Sequence, residues 1–309
     1  MQRRKALIQQ CAGAVLLMLF LSTVSASAAA RINAAATFPI LADMAAAVGG
    51  ELVSVKSLVP FGGDPHSWEP TPQDAKVVAD ADVVFLNGLG LEAWFSRLVE
   101  NAAGSDVLIV TLSDGLPALP YHEGAHAAKN SKGHSHGELD PHMWLDVTYA
   151  MEYVKRIAAA FSQLDPENAA VYHRQAEAYL QELAELDQWL MGIAAQIPAE
   201  NRRIITYHHA LAYFARRYGF EIEAYLVVNP DREPTAKEMM QLAKLLVAHP
   251  RRVMFTEPQV SIGQRYAEAA VKEVGGRLFT FFTGSLTASV PTYIEMMRHN
   301  GRVLLEALQ

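Results

Sequence analysis

The stretch that decides the fold is ENAAVYHRQAEAYLQELAELDQWLMGIAAQI, residues 167–197. It predicts a single helix of about thirty residues that opens at the phrase DPEN and ends at Pro198. Its large apolar residues keep no sustained heptad, so the pattern does not favour a coiled coil. A helix of this length with no strand inside it is expected to join two lobes. Those apolar residues are Tyr172, Tyr179, Leu183, Leu186 and Leu190.

On both sides of this helix, short runs rich in Val, Leu and Ile alternate with helical patterns. Before it, strands are predicted within 51–59, 80–87 and 105–112, and helices within 38–50, 71–81 and 91–103. After it, strands are predicted within 202–207, 220–228, 251–256 and 276–282, and helices within 208–219, 235–250, 261–276 and 290–308. This alternation predicts an α/β protein: two α/β lobes with mostly parallel sheets, joined by one long rigid helix.

This alternation, together with a signal sequence at the N-terminus, divides the chain into four segments. Residues 1–28 form a signal peptide that is cleaved, and 29–146 form an N-terminal α/β lobe with a His-rich loop at 121–138. Residues 147–198 form a helical connector, and 199–309 form a C-terminal α/β lobe. Ligands of open α/β sheets bind beyond the carboxyl ends of the strands, so a site is expected in the cleft between the lobes.

The N-terminus has the three parts of a secretory signal. Arg3, Arg4 and Lys5 precede an apolar run at 12–21, and small residues ending in Ala26-Ser27-Ala28 follow. The run is too short to span a bilayer. The only cysteine, Cys11, leaves with this peptide, and its flank LIQQC lacks the small residue that precedes a lipid-modified cysteine. We therefore expect a soluble periplasmic protein, released by cleavage near Ala28.

The net charge argues against anionic partners. Removing residues 1–28 takes away three cationic residues and no acidic ones, so the formal net charge changes from −7 to −10. A chain this acidic is unsuited to nucleic acid and to anionic lipid.

Three histidines lie just after predicted strands or in the loops that follow them. They are His66 in GGDPHSWEP, His142 in DPHMWLD and His208 in IITYHHALAYF. Their separations of 76 and 66 residues mean that only folding can bring them together. Three imidazoles in a cleft are typical of a zinc site.

The phrases around these histidines, with the later TEPQ, resemble the metal-binding receptors of ABC importers, in the zinc and manganese group. The resemblance runs from about Arg31 to the C-terminus and implies that His66, His142 and His208 bind the metal. His209 corresponds to a variable position. The neighbouring carboxylates either orient imidazoles or cap turns and helix starts, and we favour capping for Asp146. The other three are Asp64, Glu69 and Asp140.

The chain departs from this group at the fourth ligand. The group usually has an aspartate just after the last strand, but no carboxylate lies between Glu273 and Glu295. Zinc tolerates three protein ligands plus water. Water or Glu257, in MFTEPQ, is therefore a candidate for the fourth position, and a structural role for Glu257 is the other interpretation. Manganese prefers oxygen donors, so the imidazole set favours zinc as the transported ion.

The His-rich loop raises a separate question. Its four histidines lie among Gly, Ala, Lys and Ser, a composition typical of a loose, metal-attracting segment. The zinc members of the group often carry such a loop, and an incidental linker is the alternative. These histidines are His122, His126, His134 and His136.

The predicted function is capture of Zn²⁺ and its delivery to an inner-membrane ABC permease with a cytoplasmic ATPase. A periplasmic zinc chaperone is a further candidate partner, and we expect a monomer. The alternatives are a manganese or iron receptor of the same group, a zinc-dependent hydrolase and a stand-alone periplasmic zinc buffer. H-E-x-x-H occurs only as HEGAH, residues 122–126, which lies in the His-rich loop and not on a predicted helix. The chain has no P-loop, and neither feature favours an enzyme.

Overall fold

The fold was analysed in a computed structural model that describes residues 31–102, 107–121, 139–227 and 232–309. The predicted signal peptide and the four histidines of the His-rich loop lie outside the described residues. Within the described residues, no helix combines the length and apolar character needed to cross a bilayer.

The N-terminal lobe is a four-stranded parallel sheet in the order β2-β1-β3-β4. Its strands are β1 (Ile32–Ala36), β2 (Val53–Ser57), β3 (Val83–Leu86) and β4 (Leu108–Thr111). Its helices are α1 (Pro39–Gly49), α2 (Pro72–Ala79) and α3 (Phe95–Ala102). The predicted βα alternation is thus confirmed for this lobe.

The C-terminal lobe repeats this plan with the strand order β6-β5-β7-β8, again all parallel. Its strands are β5 (Arg203–His208), β6 (Glu221–Val227), β7 (Val253–Thr256) and β8 (Arg277–Thr280). Its helices are α6 (Ala212–Tyr218), α7 (Ala236–Ala248), α8 (Ser261–Glu273) and α9 (Tyr293–Leu308).

Strand β1 was not predicted, although it pairs with both β2 and β3 in the middle of its sheet. Its sequence is INAAA, and alanine has a low strand propensity. Ala34, Ala35 and Ala36 are buried. Tertiary burial therefore overrides local propensity at this strand.

Two helices connect the lobes, α4 (Val147–Leu164) and α5 (Ala169–Gln196). Helix α5 has 28 residues, which corresponds to ~42 Å at the usual rise. It packs against α4, against α1 of the N-terminal lobe and against α9 at the end of the chain. The predicted long helix is therefore present, and it is packed along both lobes. Its buried residues follow one side of the helix: Tyr172, Ala176, Tyr179, Leu183, Leu186, Asp187, Leu190, Ile193 and Ala194.

Candidate metal centre

The structure brings the three predicted histidines together. His66 lies in the loop between β2 and α2, His142 immediately precedes a short 3-10 helix (Met143–Leu145) and His208 is the last residue of β5. One ring nitrogen from each lies within 4.8 Å of those of the other two. The Nε2 atoms of His66 and His142 are 3.1 Å apart. Residues from the two halves of the chain thus share one cluster.

The cluster is more enclosed on one side than on the other. His142 and His208 are each only 1% exposed, whereas His66 is partly exposed. Among the described residues, the closely spaced metal-ligating side chains are these three histidines. An ion bound there would be largely removed from water and would be reached from the His66 side.

Asp140 orients His142. Its Oδ1 accepts a hydrogen bond from the backbone N–H of His142 at 2.9 Å and lies 2.8 Å from Nδ1 of the same ring. The carboxylate therefore both closes the turn and fixes the ring with Nε2 toward the cluster. This is the usual arrangement behind metal-binding imidazoles.

Glu257 holds His208 in the same way. Its Oε2 lies 2.5 Å from Nδ1 of His208, and both side chains are buried. Burial alone would lower the pKa of His208, but the charge of Glu257, the hydrogen bond to it and the charges of Asp64 and Asp140 raise that pKa above 6.5. Glu257 was weighed from the sequence as a fourth ligand or as an acid bound by backbone amides. The structure instead places it against Nδ1 of His208.

The other nearby carboxylates have local roles. Asp64 Oδ1 accepts from the backbone N–H of His66 at 2.9 Å, which closes the turn that carries this residue. Asp146 caps α4 by accepting from the N–H of Thr148 at 3.0 Å, as predicted. Glu69 is exposed.

His209 lies outside the cluster. Its ring stands edge-on between the rings of Tyr121 and Tyr225, with centroids 4.8 Å apart in each case. Its neighbour His208 points to the opposite side of the strand, because successive side chains alternate across a sheet. The two histidines of TYHH therefore have different surroundings.

The role of Glu257 could have been found from strand order. Residue 206 of β5 pairs with residue 255 of β7, so His208 and Glu257 lie two residues beyond this pair on adjacent parallel strands. The signal is a carboxylate that follows the strand next to the one ending in histidine. Sequence reasoning missed it because pairing of β5 with β7 skips a strand in chain order.

Comparison with known proteins identifies the family of the chain. The family model for the zinc-uptake complex component A, periplasmic (ZnuA), matches residues 35–307. The manganese-binding lipoprotein MntA of Halalkalibacterium halodurans is 37% identical over 266 residues, which cover 85% of this chain and 84% of MntA. The iron-binding protein YfeA of Yersinia pestis is 30% identical over 274 residues, which cover 87% of this chain and 84% of YfeA.

The chain is also similar to a solved structure over most of its length. The periplasmic zinc-binding protein TroA of Treponema pallidum superposes with a TM-score of 0.78 at 26% identity, covering 90% of this chain and 99% of TroA. MntA, YfeA and TroA are named for the binding of manganese, iron and zinc, respectively. The chain belongs to the ZnuA family of metal-binding receptors of ABC importers, whose members capture a substrate and are not enzymes.

Proposed function

We propose that this receptor captures Zn²⁺ with His66, His142 and His208 and delivers it to its ABC permease. The observation that carries the proposal is the cluster itself, in which three imidazole nitrogens lie within 4.8 Å of one another. Two of these rings are backed by the buried carboxylates of Asp140 and Glu257. Neutral imidazoles oriented in this way are the donors that zinc prefers.

Manganese is the second candidate. It is supported by the 37% identity to MntA, which is named for manganese. Manganese favours carboxylate, carbonyl and water oxygens, whereas imidazole suits zinc and copper. The cluster in the described residues contains no carboxylate ligand, and both nearby buried acids are engaged with histidines. This donor set supports zinc over manganese.

We propose that the metal ion is captured in a cleft between two lobes that move little relative to each other. Helix α5 packs against both lobes, so large hinge closure would break contacts along its buried side. We therefore propose that the ion is released by small shifts around His66, the most exposed ligand, when the receptor docks on the permease. Import requires a membrane permease with its ATPase as partners.

The proposed location is outside the cytoplasm, in the periplasm. MntA is named a lipoprotein, whereas Gln10 before Cys11 argues against lipid attachment in this chain. Mass spectrometry of the exported protein decides between the two forms. A mature chain that begins near Ala29 supports the soluble form, and one that begins with acylated Cys11 contradicts it.

Metal competition tests the metal and the ligands together. Zn²⁺, Mn²⁺ and Fe²⁺ are titrated against a chelator of known affinity, using the wild type and single alanine variants of the three histidines. His173→Ala is the matched control, because His173 is exposed on α5. We expect wild type and control to prefer Zn²⁺ and each ligand variant to lose affinity by ~100-fold or more. Preference for Mn²⁺, or unchanged affinity in all three variants, contradicts the proposal.

A growth experiment at low zinc distinguishes a receptor that delivers zinc for import from a protein that only stores zinc. A strain without this receptor is complemented with the wild type or with His208→Ala. Rescue by the wild type alone supports delivery to the permease, whereas a zinc buffer that never docks gives no rescue.

A further inference from the structure

One short segment contacts the turns that carry two of the three histidines. This support segment, residues 87–94 with the sequence NGLGLEAW, lies between β3 and α3. His66 and His142 each follow Asp-Pro, and in both turns the aspartate accepts from the backbone N–H of the histidine at 2.9 Å. In both turns the carbonyl oxygen of the proline accepts a hydrogen bond from the support segment.

Asn87 holds the turn of His142. Its Nδ2 donates to the carbonyl oxygen of Pro141 at 2.9 Å and lies 3.1 Å from that of Gly88. These two acceptors fix the orientation of the amide, because an oxygen in place of Nδ2 would face both of them. Its Oδ1 accepts from the hydroxyl of Tyr153 at 2.6 Å, and both bonds are buried. Asn87 therefore fixes the peptide group that joins Pro141 to His142.

Trp94 holds the turn of His66 in the same way. Its Nε1 donates to the carbonyl oxygen of Pro65 at 2.8 Å in a buried hydrogen bond. The Trp94 side chain is 6% exposed, and its ring packs edge-on against that of Phe95. The two ends of the support segment thus contact two turns whose histidines are 76 residues apart in the chain.

Glu92 anchors the support segment to the sheet. Its Oε1 accepts from the backbone N–H of Asn87 and from the hydroxyl of Thr37, each at 2.7 Å. Its Oε2 accepts from the N–H of Gly88 at 3.1 Å. Thr37 directly follows β1 and Asn87 directly follows β3, so the carboxylate joins the ends of two paired strands. It also supports the backbone at 88–90, where all three residues, one of them leucine, have positive φ.

We propose that the support segment sets the distance between His66 and His142, with Asn87 and Trp94 as positioning residues of the metal site. This inference rests on the proposed function. The Nε2 atoms of the two histidines are 3.1 Å apart. Two nitrogens bound to one tetrahedral zinc ion by bonds of about 2.0–2.1 Å lie roughly 3.3 Å from each other. The two rings are therefore held near the spacing that a shared ion requires.

The support segment differs from the two aspartates in what it fixes. Asp64 and Asp140 act within their own turns, whereas the hydrogen bonds of Asn87 and Trp94 connect one turn to the other. A metal site binds tightly when its ligands are already held in the bound geometry by the residues around them. Loss of either hydrogen bond therefore lowers metal affinity.

Two variants test this role. Trp94→Phe keeps an aromatic ring but removes the N–H, and Asn87→Asp keeps the shape of the side chain but removes the donor. Trp189→Phe is the first control, because Trp189 lies on α5, which carries none of the three histidines. Asn201→Asp is the second control, because Nδ2 of Asn201 also donates to a backbone carbonyl oxygen, that of Leu308 at 2.8 Å.

Three measurements are made on each variant. Competition with a chelator gives the affinity for Zn²⁺, and the visible spectrum of the Co²⁺-loaded protein reports the geometry of the donor set. Urea unfolding without metal gives the free energy of unfolding and shows whether the variant is folded.

We expect Trp94→Phe and Asn87→Asp each to lose Zn²⁺ affinity by ~10-fold or more and to change the Co²⁺ spectrum, and the controls to change neither. Because the two hydrogen bonds fix one distance, the double variant should lose less affinity than the product of the two single losses. If Asn87→Asp does not fold, the affinity and the spectrum of Trp94→Phe decide the matter.

A folded Trp94→Phe variant with unchanged Zn²⁺ affinity and an unchanged Co²⁺ spectrum would overturn the inference, even if its free energy of unfolding fell. Single losses that multiply in the double variant would also contradict it, because they would indicate two independent supports. Failure of the wild type to bind Zn²⁺, or retained binding in all three histidine variants, would instead overturn the proposed function. The two failures are therefore distinguishable.

Discussion

In the C-terminal lobe, Oε2 of Glu257 lies 2.5 Å from Nδ1 of His208, although 49 residues separate them in the chain. Parallel pairing of β5 with β7 creates this contact, because both residues leave the sheet at its carboxyl edge. The carboxylate holds the ring so that Nε2 faces His66 and His142. It also places a carboxylate behind the imidazole that we propose as a metal ligand.

The first prediction concerns this pair. Glu257→Gln keeps the shape of the side chain but removes its charge, so we expect metal affinity to fall by ~10–100-fold. Glu268→Gln is the control, because Glu268 is an exposed acid of the same lobe. Calorimetry with a competing chelator measures both. Equal affinity in the two variants would show that Glu257 does not support the site.

The second prediction concerns pH. The pKa of His208 lies above 6.5, because the charges of Glu257, Asp64 and Asp140 outweigh the effect of burial. A proton on Nε2 competes with the metal, so affinity is full above the raised pKa and falls as the pH drops through it. We expect the fall to begin above pH 6.5 in the wild type.

The Glu257→Gln variant provides the internal check. Removing the charge lowers the pKa of His208, so the fall in affinity should move to lower pH in this variant. Affinity is measured between pH 5.5 and 8.5 by competition. A wild-type affinity that is flat over this range would exclude imidazole as the controlling donor.

Much of the fold follows from sequence pattern. The strands β2 to β8 and the long helix were predicted because Val, Ile and Leu runs alternate with helical periodicity. Strand β1 was missed because its alanines carry little strand preference, and only its burial between β2 and β3 explains it.

Less of the candidate site than of the fold could be predicted from the sequence. His66, His142 and His208 could be named because each lies beyond a predicted strand in a phrase that resembles the metal-binding receptors. The contact of Glu257 with His208 was missed, because it follows from the strand order, in which β7 pairs with β5 although β6 lies between them in the chain. That pairing exists only once the chain has folded.

The third prediction concerns Asp43, which joins three helices. This α1 residue accepts from the backbone N–H of Tyr293 at the start of α9 at 2.8 Å and from the hydroxyl of Tyr179 on α5 at 3.4 Å. Burial raises its pKa to about 6 and outweighs the lowering effect of both hydrogen bonds. The folded protein thus holds this proton more tightly than the unfolded chain does.

The direction of the pH dependence follows from the difference in proton binding between the folded and unfolded states. Between about pH 4 and pH 6 the contribution of Asp43 to the free energy of unfolding decreases as the pH rises. Asp43→Asn cannot ionise, and it keeps an oxygen for the Tyr293 amide. We expect the variant to exceed the wild type in free energy of unfolding at pH 7.5, by on the order of 1–3 kcal/mol, and to match it near pH 4. Urea unfolding at both pH values measures this, and a pH-independent difference would contradict it.

The last prediction concerns the His-rich loop, whose ends are fixed beside the metal centre. Pro120 and Leu139 form an antiparallel bridge. The hydroxyl of Tyr213 accepts from the N–H of Leu119 at 2.8 Å and donates to the carbonyl oxygen of Asp140 at 2.9 Å. Asp140 in turn orients His142. These contacts hold the ends of the loop without any of its four histidines.

Deleting residues 122–136 should therefore leave the tight site unchanged. The deletion joins Tyr121 to Gly137, which leaves three residues, one of them glycine, between the bridged positions, and three-residue hairpins of this kind are common. We expect the deletion variant to keep the affinity of the tight site and to lose weaker additional Zn²⁺ equivalents. A loop that must be ordered around an ion binds it less tightly than a preformed cluster does. Titration to saturation gives both quantities. Unchanged stoichiometry would make the loop a linker, and loss of the tight site would assign one of its ligands to the loop.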